Sequence, residues 1–226
     1  GGVPGAFAII TADKGKITIG KQGSAFDIPQ YDKPLVKLTQ SERNVYGQLM
    51  AKDFRDTNFT PDFPRTAQIA SAMLKDKLGI KVSGVLSVDP VALGYLLKGT
   101  GPLKVAAGTT LTTTNAVDVL LNDVYARYSD PLAQDAFFAD SAKRIFEAVT
   151  QGVGNSRVSL EQLVKAANER RILVWSAGKS EQKILAPTEV AGVFPGKREI
   201  RPQVGVYLND SSQSKMQYFL YKRMTV

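Results

Sequence analysis

Between two prolines, the run Arg55-Asp56-Thr57-Asn58-Phe59-Thr60-Pro61-Asp62-Phe63-Pro64-Arg65-Thr66 gathers two guanidiniums, two carboxylates, hydroxyls and two phenylalanines that look exposed. Thr60, Asp62 and Thr66 are residue types that cap helices, and Pro64 suits a first helical turn. The loop therefore feeds a helix N-terminus. Unpaired first-turn N–H groups attract anions, so Arg55, Arg65, Thr66 and Asn58 are candidate ligands for a phosphate or pyrophosphate. Asp56 and Asp62 are the candidate ligands for a divalent cation beside it. The same residues also fit a plainer role, a salt-bridged cap that fixes a turn.

The elements that would position this loop are legible in the pattern. Ala6 to Thr11 and Ile17 to Gly20, joined by Asp13-Lys14-Gly15-Lys16, read as a hairpin with a buried first strand. Residues 29–54 are mixed and polar, with a short helical patch near Val45 to Met50, and are expected to cross a sheet face. Helical spacing from Thr66 to Leu78 ends at Gly79, a C-cap glycine. A strand over 82–88 follows, then a helix from about Val91 capped by Asp89, and short strands near Leu103 and Thr110. Asn115 is the expected cap of a helix to Ala126, and Phe137, Phe138, Ile145 and Phe146 stripe a helix over 132–149 as core. Ser159 and Gln162 have capping-box spacing for a further helix, followed by the strand Ile172 to Trp175. The segments around Val204 to Leu208 and Met216 to Tyr221 read as an antiparallel hairpin. The expected fold class is α/β (α+β): a central mixed sheet layered with helices, with that hairpin near the C-terminus. One domain is expected over 1–226, with a core at 1–130 and a helical and hairpin extension at 131–226.

Composition narrows the chemistry. The 226 residues contain no cysteine and no histidine, which removes thiol, disulfide, Ser–His and ordinary zinc chemistry. Lys plus Arg number 29 against 21 for Asp plus Glu, so the net charge of +8 favours a polyanionic partner. Nucleic acid is not the expected one, because no zinc finger, RNA-binding aromatic signature or helix-turn-helix pattern is present. Anionic lipid and anionic wall polymer remain. No apolar run reaches the roughly 18 residues a membrane helix needs, so membrane attachment is expected through an anchor upstream of Gly1.

The segments Arg55 to Pro64, Gly84-Val85-Leu86-Ser87-Val88-Asp89-Pro90, Thr100-Gly101-Pro102, Arg171 to Ser176, and Val206 to Asp210 with Ser214 to Met216 resemble domain of unknown function 4012. That resemblance implies an outward-facing, membrane-anchored envelope protein of Gram-positive bacteria, chiefly actinobacteria. Gly79 to Val85 with Asp89, Leu93, Leu96 and Gly101-Pro102-Leu103 is similar, more distantly, to the LytR-CpsA-Psr family. That family transfers glycopolymers from polyprenyl pyrophosphate to peptidoglycan. Its likeness implies a LytR-CpsA-Psr-like core with an apolar cavity between sheet and helices, Arg55 and Arg65 on the anion, and magnesium as cofactor on Asp56 or Asp62. The pattern departs from that family at Ala25-Phe26-Asp27, where the aspartate lacks its arginine, and on the first strand. Two functions are therefore carried forward. One is an extracytoplasmic cell-envelope protein that binds, or transfers, a phosphate-linked polyprenyl lipid or glycopolymer. The other is a non-catalytic cell-surface module that binds wall polymer or a partner protein.

Overall fold

The structure, a computed structural model, describes residues 3–195, 205–209 and 219. The chain runs β1 (Ala6–Asp13), β2 (Lys16–Ser24), α1 (Gln40–Tyr46), α2 (Phe63–Leu78), β3 (Gly84–Val88), α3 (Pro90–Thr100), β4 (Leu103–Lys104) and β5 (Thr110–Leu111). It continues through α4 (Ala116–Asp118), a π turn (Val119–Asp123), α5 (Val124–Arg127), α6 (Pro131–Thr150), α7 (Ser156–Asn168), β6 (Ile172–Ser176) and α8 (Lys179–Leu185). Helices thus mix with short antiparallel strands, an α/β chain in the broad sense.

The expected single central sheet does not form among the described residues. In its place stand three separate two-stranded antiparallel sheets, β1 with β2, β3 with β6, and β4 with β5. Two local causes are visible. Pro102 brings no N–H to a ladder just before β4 and Ala107 sits at φ 54° just after it, and these bound β4 to two residues, which pair with β5. Strand β3 instead pairs with β6, 84 to 176 through 88 to 172, and Asp89 fixes the far end of that register. The Asp89 carboxylate accepts from Arg171 Nη1 at 2.9 Å, and its N–H donates to the Arg171 carbonyl at 3.2 Å.

The β1–β2 hairpin forms as expected, but the first strand is not buried: most of it is exposed. Among the described residues the ribbon pairs with no third strand, and it is backed by α6 and, at Phe7, by Phe54 of the first core. Residues 29–54 likewise do not cross a sheet. They supply Leu38, Met50, Ala51 and Phe54 to a core shared with Ile69, Met73 and Leu74 of α2.

The second core joins Leu96, Leu97, Leu111, Leu120, Val124, Phe137 and Ile145, so the phenylalanine stripe of α6 is core as its spacing predicts. Asn115 does not cap the 115–126 helix with its side chain; its carboxamide oxygen accepts from Thr112 N–H at 2.7 Å instead. Nor does Ser159 begin α7. Asn155 caps that helix by accepting from Val158 N–H, which leaves Ser159 one turn inside and buried. There α7 meets α3: Gly99 lies so close that an added Cβ would come within 2.6 Å of the Ser159 amide nitrogen. Gly99→Ala is accordingly expected to force α3 and α7 apart and to cost about 1–3 kcal/mol, read as a lower urea midpoint at unchanged slope. The hairpin expected at 204–221 falls outside the described residues, apart from residues 205–209 and 219.

Candidate functional site

The charged loop is built from short-range bonds. Asp53 opens a 3-10 turn over Phe54–Asp56, its carboxylate accepting from the Arg55 N–H at 2.9 Å. The same carboxylate takes the Arg55 guanidinium side-on, from Nε at 2.9 Å and Nη2 at 2.6 Å. Phe26 lies over that guanidinium, with 5.2 Å from Cζ to the ring centroid. Burial pushes the Asp53 carboxyl up, but the bonds and charge of Arg55 outweigh it and hold it below the ordinary carboxylate range. Asp56 is pushed the other way, by burial first and then by the negative Asp53, with Arg55 opposing.

Arg65 is held elsewhere. Its Nε and Nη2 donate to the two carboxylate oxygens of Glu42 at 2.6 and 3.2 Å, and Nη2 also donates to the Lys37 carbonyl at 2.8 Å. Glu42 closes the cap of α1, accepting from Thr39 N–H at 2.6 Å, so Arg65 pins the start of α2 to the start of α1. Burial raises the Glu42 carboxyl, and the Arg65 and Thr39 bonds more than reverse that, leaving it lowered.

Asp62 is the N-cap of α2 by position, with Pro64 in the first turn, yet its side chain makes no cap bond. Its Oδ1 accepts instead from Phe194 N–H at 3.0 Å, while Phe63 N–H donates to the Gly192 carbonyl at 3.0 Å. These two bonds clamp residues 192–194 against the loop. A third contact, Asn209 Nδ2 to the Phe59 carbonyl at 2.9 Å, brings the later chain to the same place. Neither phenylalanine is exposed: Phe63 is buried and Phe59 half-buried against the first core. Thr66 is buried at the first turn of α2, its N–H donating to the Asp62 carbonyl, and Asn58 is half-buried beside Thr57.

The two arginines are thus brought to different carboxylates rather than to one focus. Asp62 serves Phe194, Asp56 is buried beside the Asp53–Arg55 pair, and no cluster of three or more acidic, histidine or cysteine side chains suited to a metal occurs among the described residues. The partners Asp53 and Glu42 are what the motif-centred reading omitted. Each carries a signal that could have found it: aspartate two residues before Arg55 is an Asx-turn pattern, and Thr39-x-x-Glu42 is a capping box.

Two depressions lie away from this loop. One, about 510 Å³, runs between β6 and α8 and is lined by Gly84, Val174, Trp175, Glu181, Ile184 and Leu185. The other, about 650 Å³, opens between the β1–β2 ribbon and the C-terminal half of α6. Neither is lined by Arg55 or Arg65. No helix of the described residues is long and apolar enough to cross a membrane.

Residues 1–125 match a family model described as a protein of unknown function (DUF4012). No curated protein and no solved structure matches the chain.

Proposed function

Because the chain belongs to the DUF4012 family, whose description assigns no activity, we propose its role from the chain's own chemistry: a non-catalytic binding module. In this reading it sits on the outer face of the cell envelope and holds a phosphate-bearing lipid or glycopolymer by charge and shape. One observation carries it. The guanidiniums best suited to a phosphoryl group in transfer are each neutralised by an internal carboxylate, whereas Lys14, Lys16, Lys33, Lys52, Lys81 and Lys98 form no ion pair among the described residues.

Binding needs only a field and a surface, and the +8 net charge provides the field. Transfer needs donors aimed at one developing charge, and Arg55 and Arg65 answer to separate partners. The likeness of residues 79–103 to the LytR-CpsA-Psr family is the ground for naming wall-linked or polyprenyl-linked phosphate as the ligand class. A membrane anchor outside this chain and magnesium at the ligand phosphate belong to the same proposal.

Sedimentation with purified actinobacterial wall tests it. The chain is expected to co-sediment at low salt and to be released as salt rises, since exposed charges act over only about 10 Å at 0.1 M. Arg55→Ala and Arg65→Ala are expected to bind as the parent does while losing stability. Loss of wall binding in either variant with its fold intact would restore the loop as the ligand site and overturn this reading.

A further inference from the structure

The cleft between the ribbon and α6 has the shape and polarity of a site for a chain with a charged head. The ribbon is fastened to α6 at its base, where Ser24 Oγ donates to the Asp135 carboxylate and Gln22 Nε2 donates to the Ala139 carbonyl at 2.9 Å. Towards the tip the two elements part. The gap is lined by the apolar Ile17, Ile19 and Phe146 and by a larger polar share that includes Lys14, Lys16, Thr18, Glu147, Thr150 and Gln151, and its roughly 650 Å³ falls within the range of small-molecule sites.

A bulge between Ala8 and Ile10 resets the ribbon's faces, so that Ile10 opposes Ile19 and Ala12 opposes Ile17. That apolar face is incompletely covered: Ile10 is 40% exposed and Ile17 45%. At the tip, Lys14 and Gly15 lie at φ 45° and 82°, the signs a type I′ turn demands. Glycine accepts this at no steric cost, but the first position is one where asparagine is far better suited than lysine. A lysine in a left-handed conformation at the mouth of a cleft of mixed polar and apolar lining is a local cost with a functional reading. Lys14 and Lys16 have no ion-pair partner among the described residues, while Glu147 on the opposite wall lies 3.9 Å from Lys143.

We infer that this cleft binds a single-chain amphiphile with a phosphate head, the head between Lys14 and Lys16 and the chain against Ile17, Ile19 and Phe146. The inference rests on the binding-module reading above and gives it a place. It assigns Lys14 a role that its backbone conformation disfavours, and it makes Glu147 the group that limits affinity.

The test is calorimetric titration of the whole chain with dodecyl phosphate below its micellar concentration, with dodecyl maltoside and inorganic phosphate as separate arms. Dodecyl phosphate is expected to bind at least tenfold more tightly than either. Lys14→Asn combined with Lys16→Gln should lower that affinity at least tenfold yet raise Tm, because asparagine fits the turn. Glu147→Gln should strengthen binding severalfold, and Phe146→Ala should weaken it. Equal affinity for maltoside, equal affinity for inorganic phosphate, or indifference to the lysine changes would each overturn the inference. Wall co-sedimentation of the double lysine variant separates the two readings: retained wall binding with indifferent dodecyl phosphate affinity sinks the cleft alone. Failure of the parent chain to sediment with wall, with the dodecyl phosphate results as expected, sinks the wall-binding reading alone.

Discussion

Asp53→Ala is expected to destabilise the chain by about 2–4 kcal/mol, a little under the roughly 3–5 kcal/mol for breaking a fully buried ion pair, because Arg55 keeps 27% side-chain exposure. Asp53 is 4% exposed and accepts three hydrogen bonds from one residue, Arg55. Removing it takes away the cap of the 54–56 turn and leaves a guanidinium with 27% side-chain exposure facing Phe26 without its counter-charge. Urea denaturation would register a lower midpoint at unchanged slope. Asp53→Asn, which keeps an acceptor for the Arg55 N–H, is expected to lose less. Equal losses in the two variants would show that charge alone sustains the turn.

The same residue sets a pH dependence whose sign follows from the shifts. Asp53 and Glu42 titrate below the ordinary carboxylate range in the folded chain, so the stability they contribute is complete above the unfolded value and is lost as pH falls through their lowered folded values. Asp56 is raised, chiefly by burial and then by Asp53, so it opposes folding at neutral pH. That cost is relieved as pH falls through its raised value. Mild acidification is therefore expected to raise stability slightly before stronger acid, below the unfolded carboxylate range near about 4, reduces it. In Asp53→Ala the acid-side loss should be shallower, since one of the lowered carboxyls is gone. Urea midpoints across a pH series check both limbs.

Phe137→Ala carries the largest expected loss, about 3–5 kcal/mol. The ring is 2% exposed and packs near Tyr128 and Phe138, at 6.2 and 6.5 Å between centroids, in the core that joins α3, the 116–127 helices and α6. Domains are stable by only about 5–15 kcal/mol, so this change approaches unfolding. Phe137→Leu, which refills much of the volume, should cost less and leave α6 able to support the ribbon. Far-UV circular dichroism with thermal melting distinguishes the two. A loss below about 1 kcal/mol for Phe137→Ala would mean that the site collapses freely and that α6 is not the keystone of this core.

Much of the local structure was readable from residue order. The Asp13 to Lys16 turn, the 3.6-residue spacing of Ala67, Ile69, Ala70, Met73 and Leu74, Gly79 at φ 66°, and Asp89 accepting from Ala92 N–H all depend on neighbours within a few positions. Two cap expectations moved through near neighbours: Asn155, four residues before Ser159, caps α7, and the Asn115 side chain serves the Thr112 turn three residues before it. The strands moved through distant partners, since β3 pairs with β6. The charged loop shows the same division. Its residue types predicted both a phosphate site and a salt-bridged cap, and spacing alone could not choose between them.

The sequence by itself determined the N-terminal hairpin, the limits of α2, α3, α6 and α7 to within a turn, the α6 core stripe, the absence of thiol and imidazole chemistry, and the surplus of cations. Those properties reside in single side chains and in hydrogen bonds that close within about four residues. Helix α1, by contrast, lies at Gln40–Tyr46 rather than near Val45 to Met50, and α8 has no counterpart among the expected elements. Only the tertiary structure decided that β3 pairs with β6 rather than joining a central sheet, that Arg65 reaches Glu42 and Asp62 reaches Phe194, and that Lys14 and Lys16 share a cleft with Phe146 and Glu147 of α6. Each of those joins residues far apart in the chain, where the charge of a side chain is fixed by its type but its partner is fixed by packing.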